Sequence, residues 1–334
     1  MRVSITIYDD QVETLVPNTL ATHKTEIIEK IKRIHSRGYT NLHEGWLEGS
    51  KQVSQKYNNE QLNRVILLSD GLANKGETNP DVICTHVHGL MKHGVSTSTM
   101  GIGTDFNEDL LEAMAKSGDG NYYYIESPDS LPAIFQSELQ GIMATIGSKV
   151  SLGIEPSRNV EVLDVFNDLN TTMYGRYKLP NLIMGNKIEV AIRLKIPPIT
   201  HTHSLCKFRL AWDTPEQIER QEIKVALKLP VVSSNQLDEF PFNVEVSARI
   251  AQLIAVRARE EAIRNIDNRD YSTAQKVLQN AQNAVCSAPM SLNLKEQELA
   301  ELESLQRQID QGEYVRVRKQ ASYESYRKRN SRSE

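Results

Sequence analysis

The first 146 residues alternate short apolar runs with segments whose apolar residues recur at helical spacing. Apolar runs at 2–8, 64–69, 95–102 and 121–126 predict β-strands, and the segments between them predict amphipathic helices. A further run at 12–16 follows Asp9-Asp10 and predicts a hairpin with the first strand. Strands that alternate with helices are typical of a parallel sheet covered by helices. The expected fold of this region is therefore α/β.

Polar residues and glycines mark where several of these helices begin and end. Asn79-Pro80 supplies a capping residue and a first-turn proline, and Gly94 ends that helix. Asn41 and Glu44 have capping-box spacing at the start of another helix. Four isoleucines earlier in the chain recur at helical spacing and predict the inner face of a helix: Ile27, Ile28, Ile31 and Ile34.

After residue 148 the apolar period changes from helical to two, as in residues 188–196. About six such runs predict a small antiparallel sandwich. A polar, proline-bearing stretch at 230–241 then leads into a helical segment. The predicted domains are an α/β domain at 1–146, a β-sandwich-like domain at 148–232, a helical hairpin at 243–311 and a basic tail at 312–334, for which disorder is one interpretation.

Charge is unevenly distributed along the chain. The net charge is −4, from 39 basic and 43 acidic residues, yet the last predicted segment is strongly basic. Its arginines and lysines are interleaved with Tyr323 and Tyr326, a pattern that could contact nucleic acid or an acidic partner. A solvated, partly disordered tail is the favoured interpretation because no other part of the chain is basic. Nucleic-acid binding is therefore not expected.

The sequence also indicates where the protein is located and whether it crosses a membrane. Its apolar runs are far shorter than the roughly 18 residues of a membrane-spanning helix, and its first residues follow a strand pattern rather than that of a secretory leader. Three widely separated cysteines, Cys84, Cys206 and Cys286, do not suggest a disulfide framework. We therefore expect a cytoplasmic protein that does not cross a membrane.

The strongest local signal is Asp70, which follows the buried run 64–69 and precedes Gly71. In open α/β sheets, ligands bind at the carboxyl ends of strands, where Asp70 is expected. With Gly38-Tyr39-Thr40-Asn41 upstream and the run 101–111 downstream, residues 1–146 resemble a von Willebrand factor type A (VWA) domain. The resemblance is closest to bacterial proteins with a β-rich region after that domain. It implies a Rossmann-like, doubly wound sheet.

The resemblance also implies a metal-ion-dependent adhesion site. In that family three loops hold Mg²⁺ or Mn²⁺: a D-x-S-x-S loop after the first strand, a threonine that Thr40 matches, and an aspartate that Asp70 matches. An acidic side chain of a protein partner can complete the ion's coordination. No D-x-S-x-S occurs in the sequence, and the chain starts on what the family has as its second strand, so the expected site is degraded. As structural alternatives, Thr40 could cap a helix and Asp70 could stabilise its own turn.

An absent first strand would also leave the sheet incomplete. In the family that strand lies between those at 2–8 and 64–69. Its two neighbours must then either pair directly or keep unpaired edges that invite a strand from another chain. We expect self-association at such edges.

Enzymatic motifs are weak. Gly101-Ile102-Gly103 lacks the third glycine of a dinucleotide fingerprint, and no G-x-S-x-G elbow is present. One group of potential metal ligands is predicted to spread around a helix and to be incidental: Cys84, His86, His88 and His93. The sequence thus predicts a non-catalytic protein-interaction module. The alternatives are an accessory subunit of an ATP-driven, magnesium-chelatase-like complex and a metal-independent scaffold.

Overall fold

The structure is a computed structural model that describes residues 1–35, 38–58, 61–201, 204–214 and 217–330. The chain divides into two compact units, Met1–Ala144 and Thr145–Glu334. The predicted boundaries at 148–232 and 243–311 inside the second unit remain predictions.

The first unit is α/β, as predicted. Its strands are β1 (Arg2–Tyr8), β2 (Val12–Leu20), β3 (Asn63–Ser69), β4 (Val95–Ile102) and β5 (Asp119–Ile125). Its helices are α1 (Lys24–Ile31), α2 (Leu42–Ser54), α3 (Pro80–Lys92), α4 (Glu108–Ser117) and α5 (Leu131–Met143), the last preceded by a 3₁₀ turn. The predicted cap of α3 is confirmed, because the Asn79 side chain accepts from Asp81 N at 3.0 Å. Asn41 holds the N-cap position of α2 but makes no side-chain cap hydrogen bond, so the predicted capping box does not form.

Within the described residues, the strands of this unit form two separate sheets. β3, β4 and β5 pair in parallel in that order, whereas β1 and β2 form an antiparallel hairpin. β1 does not pair with β3, so each of them has one unpaired edge within the described residues. The expected outcomes were direct pairing of these two strands or unpaired edges, and the structure shows unpaired edges.

The predicted inner face of α1 is wrong. No residue of this helix is fully buried, and Ile28 and Ile31 are 49% and 42% exposed. Ile34, just beyond the helix, is 40% exposed. The isoleucine spacing identified the helix and its apolar stripe, but periodicity does not say whether a neighbouring layer covers the stripe.

The second unit begins with seven strands in its described residues. They are β6 (Thr145–Pro156), β7 (Glu161–Val165), β8 (Tyr177–Lys178), β9 (Leu182–Ile183), β10 (Ile192–Lys195), β11 (Cys206–Thr214) and β12 (Gln217–Leu227). One sheet has the order β12-β11-β6-β8, with β9 also on β6, and β7 pairs with β10. Of the alternating run 188–196, only the β10 residues form a strand.

In the described residues up to 330, four helices follow where a helical hairpin and a basic tail were predicted. They are α6 (Val244–Asp267), α7 (Tyr271–Ser287), α8 (Leu292–Asp310) and α9 (Tyr314–Arg329). The interpretation of the basic segment as a solvated tail is wrong for α9, since Val317, Ala321 and Tyr326 are buried.

Acidic residues of neighbouring helices account for this burial of a basic segment. Lys328 lies 2.6 Å from Glu298, and Arg318 lies 2.9 Å from Asp267. The sequence shows the positive charge of α9 but not these partners from α8 and α6.

Candidate cation and partner site at the ends of β1 and β3

The carboxyl ends of β1 and β3 meet at the start of α2. The Asn41 N–H donates to the Asp9 carbonyl at 2.8 Å, which ties the end of β1 to the helix. The Asn74 N–H donates to the Thr40 carbonyl at 3.2 Å, which ties the loop after β3 to the same place. Two loops that are distant in sequence therefore form one surface at the carboxyl ends of β1 and β3.

Thr40 and the Asp70 turn are adjacent on this surface. The Thr40 N–H donates to the side-chain oxygen of Asn74 at 2.9 Å. A Cβ placed on Gly71 would lie 3.1 Å from the Thr40 hydroxyl oxygen, so that hydroxyl sits against the residue directly after Asp70. The absence of a side chain at Gly71 permits this close approach. The structure thus brings the two predicted ligand residues into one loop cluster.

The Asp70 carboxylate is exposed, and no other described residue binds it. It makes no hydrogen bond or ion pair with the other described residues, so the alternative in which it stabilises its own turn is not observed. The Ser69 hydroxyl closes that turn instead, donating to the Gly71 carbonyl at 3.0 Å. The capping alternative for Thr40 also finds no support, because the N-cap position of α2 is Asn41.

Two residues of the site were not predicted to belong to it. The Asn41 side-chain oxygen is buried without a hydrogen-bond partner among the described residues, and a Cβ on Gly76 would lie 2.3 Å from it. Tyr8 donates its hydroxyl to the Leu68 carbonyl at 2.5 Å. Burial raises the pKa of the Tyr8 phenol, and the nearby Asp70 carboxylate raises it further. The sequence assigned Asn41 only to helix capping and Tyr8 only to a strand, because neither long-range contact leaves a local signal.

Oxygen atoms dominate this surface, and larger clusters of nitrogen and sulfur ligands are absent from the described part of the chain. No group of three or more His, Cys, Asp or Glu side chains there could hold a metal ion. His86 lies against His43, with Nδ1 2.9 Å from Nε2, rather than joining a ligand set with Cys84. Burial lowers the pKa of His43, and His86 lowers it further, while Glu77 and Glu44 act in the opposite direction.

The comparison with protein families decides what this unit is. The family model of the von Willebrand factor type A domain matches residues 1–137. Residues 1–137 thus match a VWA domain, and the first unit is called the VWA unit below. Domains of this family mediate protein–protein interaction, and some bind a metal ion at the adhesion site described above.

Relatives among curated proteins extend beyond the VWA unit. The uncharacterized protein YfbK of Escherichia coli K12 is 24% identical over 314 residues, which is 90% of this chain and 55% of that protein. Inter-alpha-trypsin inhibitor heavy chain H3 of Mus musculus is 24% identical over 234 residues, covering 67% of this chain and 24% of that protein. The chain thus spans about half of the first relative and a quarter of the second.

Solved structures share the fold at low identity. A von Willebrand factor type A protein from Catenulispora acidiphila aligns with a TM-score of 0.64 and 14% identity, over 92% of this chain and 72% of that one. The ArnB paralog VWA2 from Sulfolobus acidocaldarius aligns with a TM-score of 0.54 and 18% identity, over 99% and 80%. These similarities support the VWA-type α/β fold described above. Among the helices of the described residues, none is long and apolar enough to span a bilayer.

Proposed function

We propose that the VWA unit is a non-catalytic module that binds a protein partner, and that Thr40 and Asp70 form a degraded adhesion site for Mg²⁺ or Mn²⁺. The observation that supports this proposal is the approach of the Thr40 hydroxyl to the Asp70 turn. The exposed Asp70 carboxylate, which makes no hydrogen bond or ion pair with the other described residues, also supports the proposal because it can accept a cation. Hard divalent cations prefer oxygen ligands of this kind.

Ligand number sets the expected affinity. Mg²⁺ demands six oxygens in octahedral array, and it keeps its waters unless enough protein oxygens replace them. One carboxylate and one neutral hydroxyl leave most positions to water, so we expect a dissociation constant of about 1 mM or weaker. The same water-filled positions allow a carboxylate of a partner protein to join the ion.

A Mn²⁺ titration followed by electron paramagnetic resonance tests this site. The wild-type chain should bind Mn²⁺ weakly, and Mg²⁺ should compete. Asp70→Ala should abolish the binding, because it removes the one charged ligand. Thr40→Ala should weaken it less, since a water can replace the hydroxyl oxygen.

Asp105→Ala is the matched control. Asp105 is another exposed carboxylate, and it lies in the loop after the neighbouring strand β4. Loss of binding in Asp70→Ala but not in Asp105→Ala supports the site. Equal Mn²⁺ binding by wild type and Asp70→Ala would contradict it and favour a metal-independent scaffold.

A further inference from the structure

Two histidines connect two helices of the VWA unit. His43 lies in the first turn of α2 and His86 in the middle of α3, and Nε2 of His43 lies 2.9 Å from Nδ1 of His86. The ring centroids are 5.1 Å apart, and the ring planes are tilted by 31°. The two nitrogens share one hydrogen, and the tautomers decide which of them carries it. We call this arrangement the histidine pair.

The ring of His43 is held in place by its surroundings. Its residue is only 7% exposed, and the ring stacks on Trp46 at a centroid distance of 6.1 Å. Trp46 is itself buried and donates its indole N–H to the Thr97 hydroxyl at 3.1 Å. His86 is exposed, so solvent reaches the pair from its side. One nitrogen is therefore fixed by packing, while an ion from solution can approach the other.

The distance between the two nitrogens matches two ligands of a tetragonal metal ion. Imidazole nitrogens bind divalent transition metals at about 2.0–2.1 Å. Adjacent ligands of a square-planar or octahedral ion subtend about 90°, which places two such nitrogens about 2.9 Å apart. A tetrahedral ion needs a separation of about 3.3–3.4 Å. The observed 2.9 Å therefore favours Cu²⁺ or Ni²⁺ over Zn²⁺.

Nearby carboxylates favour a cation at the histidine pair. Glu77 and Glu44 both favour a positive charge at His43. Glu77 accepts from the Asn79 N–H at 2.8 Å, which holds its carboxylate just before α3. The positive end of the α2 dipole acts in the opposite direction, because His43 lies in the first turn. The two carboxylates compensate for this effect and for part of the charge of an ion.

We propose that the histidine pair binds one Cu²⁺ or Ni²⁺ ion through Nε2 of His43 and Nδ1 of His86. The shared hydrogen moves to the other nitrogen of the ring that carries it, so both lone pairs become available and no proton leaves the protein. Both rings turn so that these lone pairs meet at the ion, and water fills the other positions. The described residues supply no third His, Cys, Asp or Glu ligand. The proposal goes beyond the Thr40–Asp70 site, which takes hard ions through oxygen, and does not depend on it.

Trp46 fluorescence tests the proposal, because bound Cu²⁺ quenches the emission of a nearby indole. The sequence has two tryptophans, so Trp212→Phe leaves Trp46 as the only one. In this variant Cu²⁺ should quench the emission in a saturable titration with one ion per chain, and EDTA should restore it. Zn²⁺ should bind about tenfold more weakly or worse. Excess Mg²⁺ should not compete, because it prefers oxygen ligands.

Electron paramagnetic resonance of Cu²⁺ bound to the wild-type chain needs no substitution. It should show hyperfine lines from two nitrogen ligands. This measurement keeps the proposal testable if Trp212→Phe does not fold.

Two histidine variants locate the ion. His86→Leu removes the exposed ligand and should weaken Cu²⁺ binding by about tenfold or more, since even the loss of a residue that only supports a metal ligand costs that much. His88→Leu is the matched control, because His88 lies on the same helix two residues further on and faces a different side. It should bind Cu²⁺ as the unsubstituted chain does.

Four results would overturn the proposal. The first is the absence of saturable quenching of Trp46, and the second is a Cu²⁺ spectrum without two nitrogen ligands. The third is Cu²⁺ affinity that is the same in His86→Leu, or lowered equally in His88→Leu, which would mean that the ion binds at other histidines. The fourth is tighter binding of Zn²⁺ than of Cu²⁺, which would contradict the tetragonal geometry.

Discussion

β1 and β4 are strands of the same VWA unit, and the more apolar one is the less buried. β1 carries Val3, Ile5 and Ile7, yet no residue of it is fully buried. β4 is rich in hydroxyl side chains, yet Thr97, Ser98 and Thr99 are all fully buried. Among the described residues, β4 has a paired strand on each side, whereas β1 is paired on one side only. Burial here depends on the number of neighbours rather than on the apolar content of the strand.

The sheet β3-β4-β5 and the helix α5, which we call the closed part of the unit, also contain a buried polar network. Glu138 of α5 is fully buried, and it accepts from Arg64 at 2.8 Å, from Asn121 at 2.5 Å and from Tyr123 at 2.7 Å. Burial acts to raise the pKa of Glu138, but Arg64 and the hydrogen bonds of Ser98, Tyr123 and Asn121 outweigh it and hold the pKa below its ordinary value. The hairpin β1-β2 and the helix α1, which we call the open part, have no comparable buried network in the described residues.

The largest expected effect comes from breaking this network. Glu138→Ala leaves the Arg64 guanidinium buried without its carboxylate, so we expect a loss of about 3–5 kcal/mol in the free energy of unfolding, measured by urea denaturation. Glu26→Ala, on exposed α1, should change it by less than about 0.5 kcal/mol. A loss below about 1 kcal/mol in Glu138→Ala would show that the closed part does not depend on the network. Glu138→Gln, which keeps some hydrogen bonds, serves as the test if the alanine variant does not fold.

Truncating one isoleucine in the closed part and one in the open part should give different losses of stability. Ile125 of β5 is fully buried, so Ile125→Ala should cost about 2–5 kcal/mol through lost contacts and a cavity. Ile28→Ala should cost less than about 1 kcal/mol, because Ile28 is half exposed. Thermal denaturation of both variants measures the difference. Equal losses would mean that α1 packs against a layer absent from the described structure.

The pH dependence of His43 should give the smallest effect. Because burial and His86 lower its pKa in the folded state, the unfolded state binds more protons below about pH 6.5. The free energy of unfolding should therefore fall as the pH drops below 6.5, until the lowered pKa is passed. Urea denaturation at pH 7.5 and 5.5 measures this change.

His43→Leu isolates the His43 contribution. This variant should lose less stability between the two pH values than the wild type does. His93→Leu, which changes the exposed C-cap residue of α3, should behave as the wild type. An unchanged pH dependence in His43→Leu would show that the His43–His86 contact does not favour the neutral imidazole.

Local patterns predicted the α/β elements and the position of Asp70, because strand periodicity, capping residues and turns are encoded within a few residues. They could not predict what covers each element. The isoleucines of α1 predicted a buried face that is exposed, and the charges of α9 predicted a solvated tail that is packed against acidic helices. The Asn41 oxygen and the Glu138 network were missed for the same reason, since their neighbours come from distant parts of the sequence.

Hydrogen exchange of the chain alone tests the central claim that β1 and β3 are each paired along one edge only within the described residues. The amides of β4, which pairs on both sides, should be protected along the strand. In β1 and β3 the protection should alternate, because every second amide points away from the one paired strand and has no backbone partner. Fast exchange at alternate positions of both strands is the predicted result. Uniform protection of β1 and β3, equal to that of β4, would contradict it.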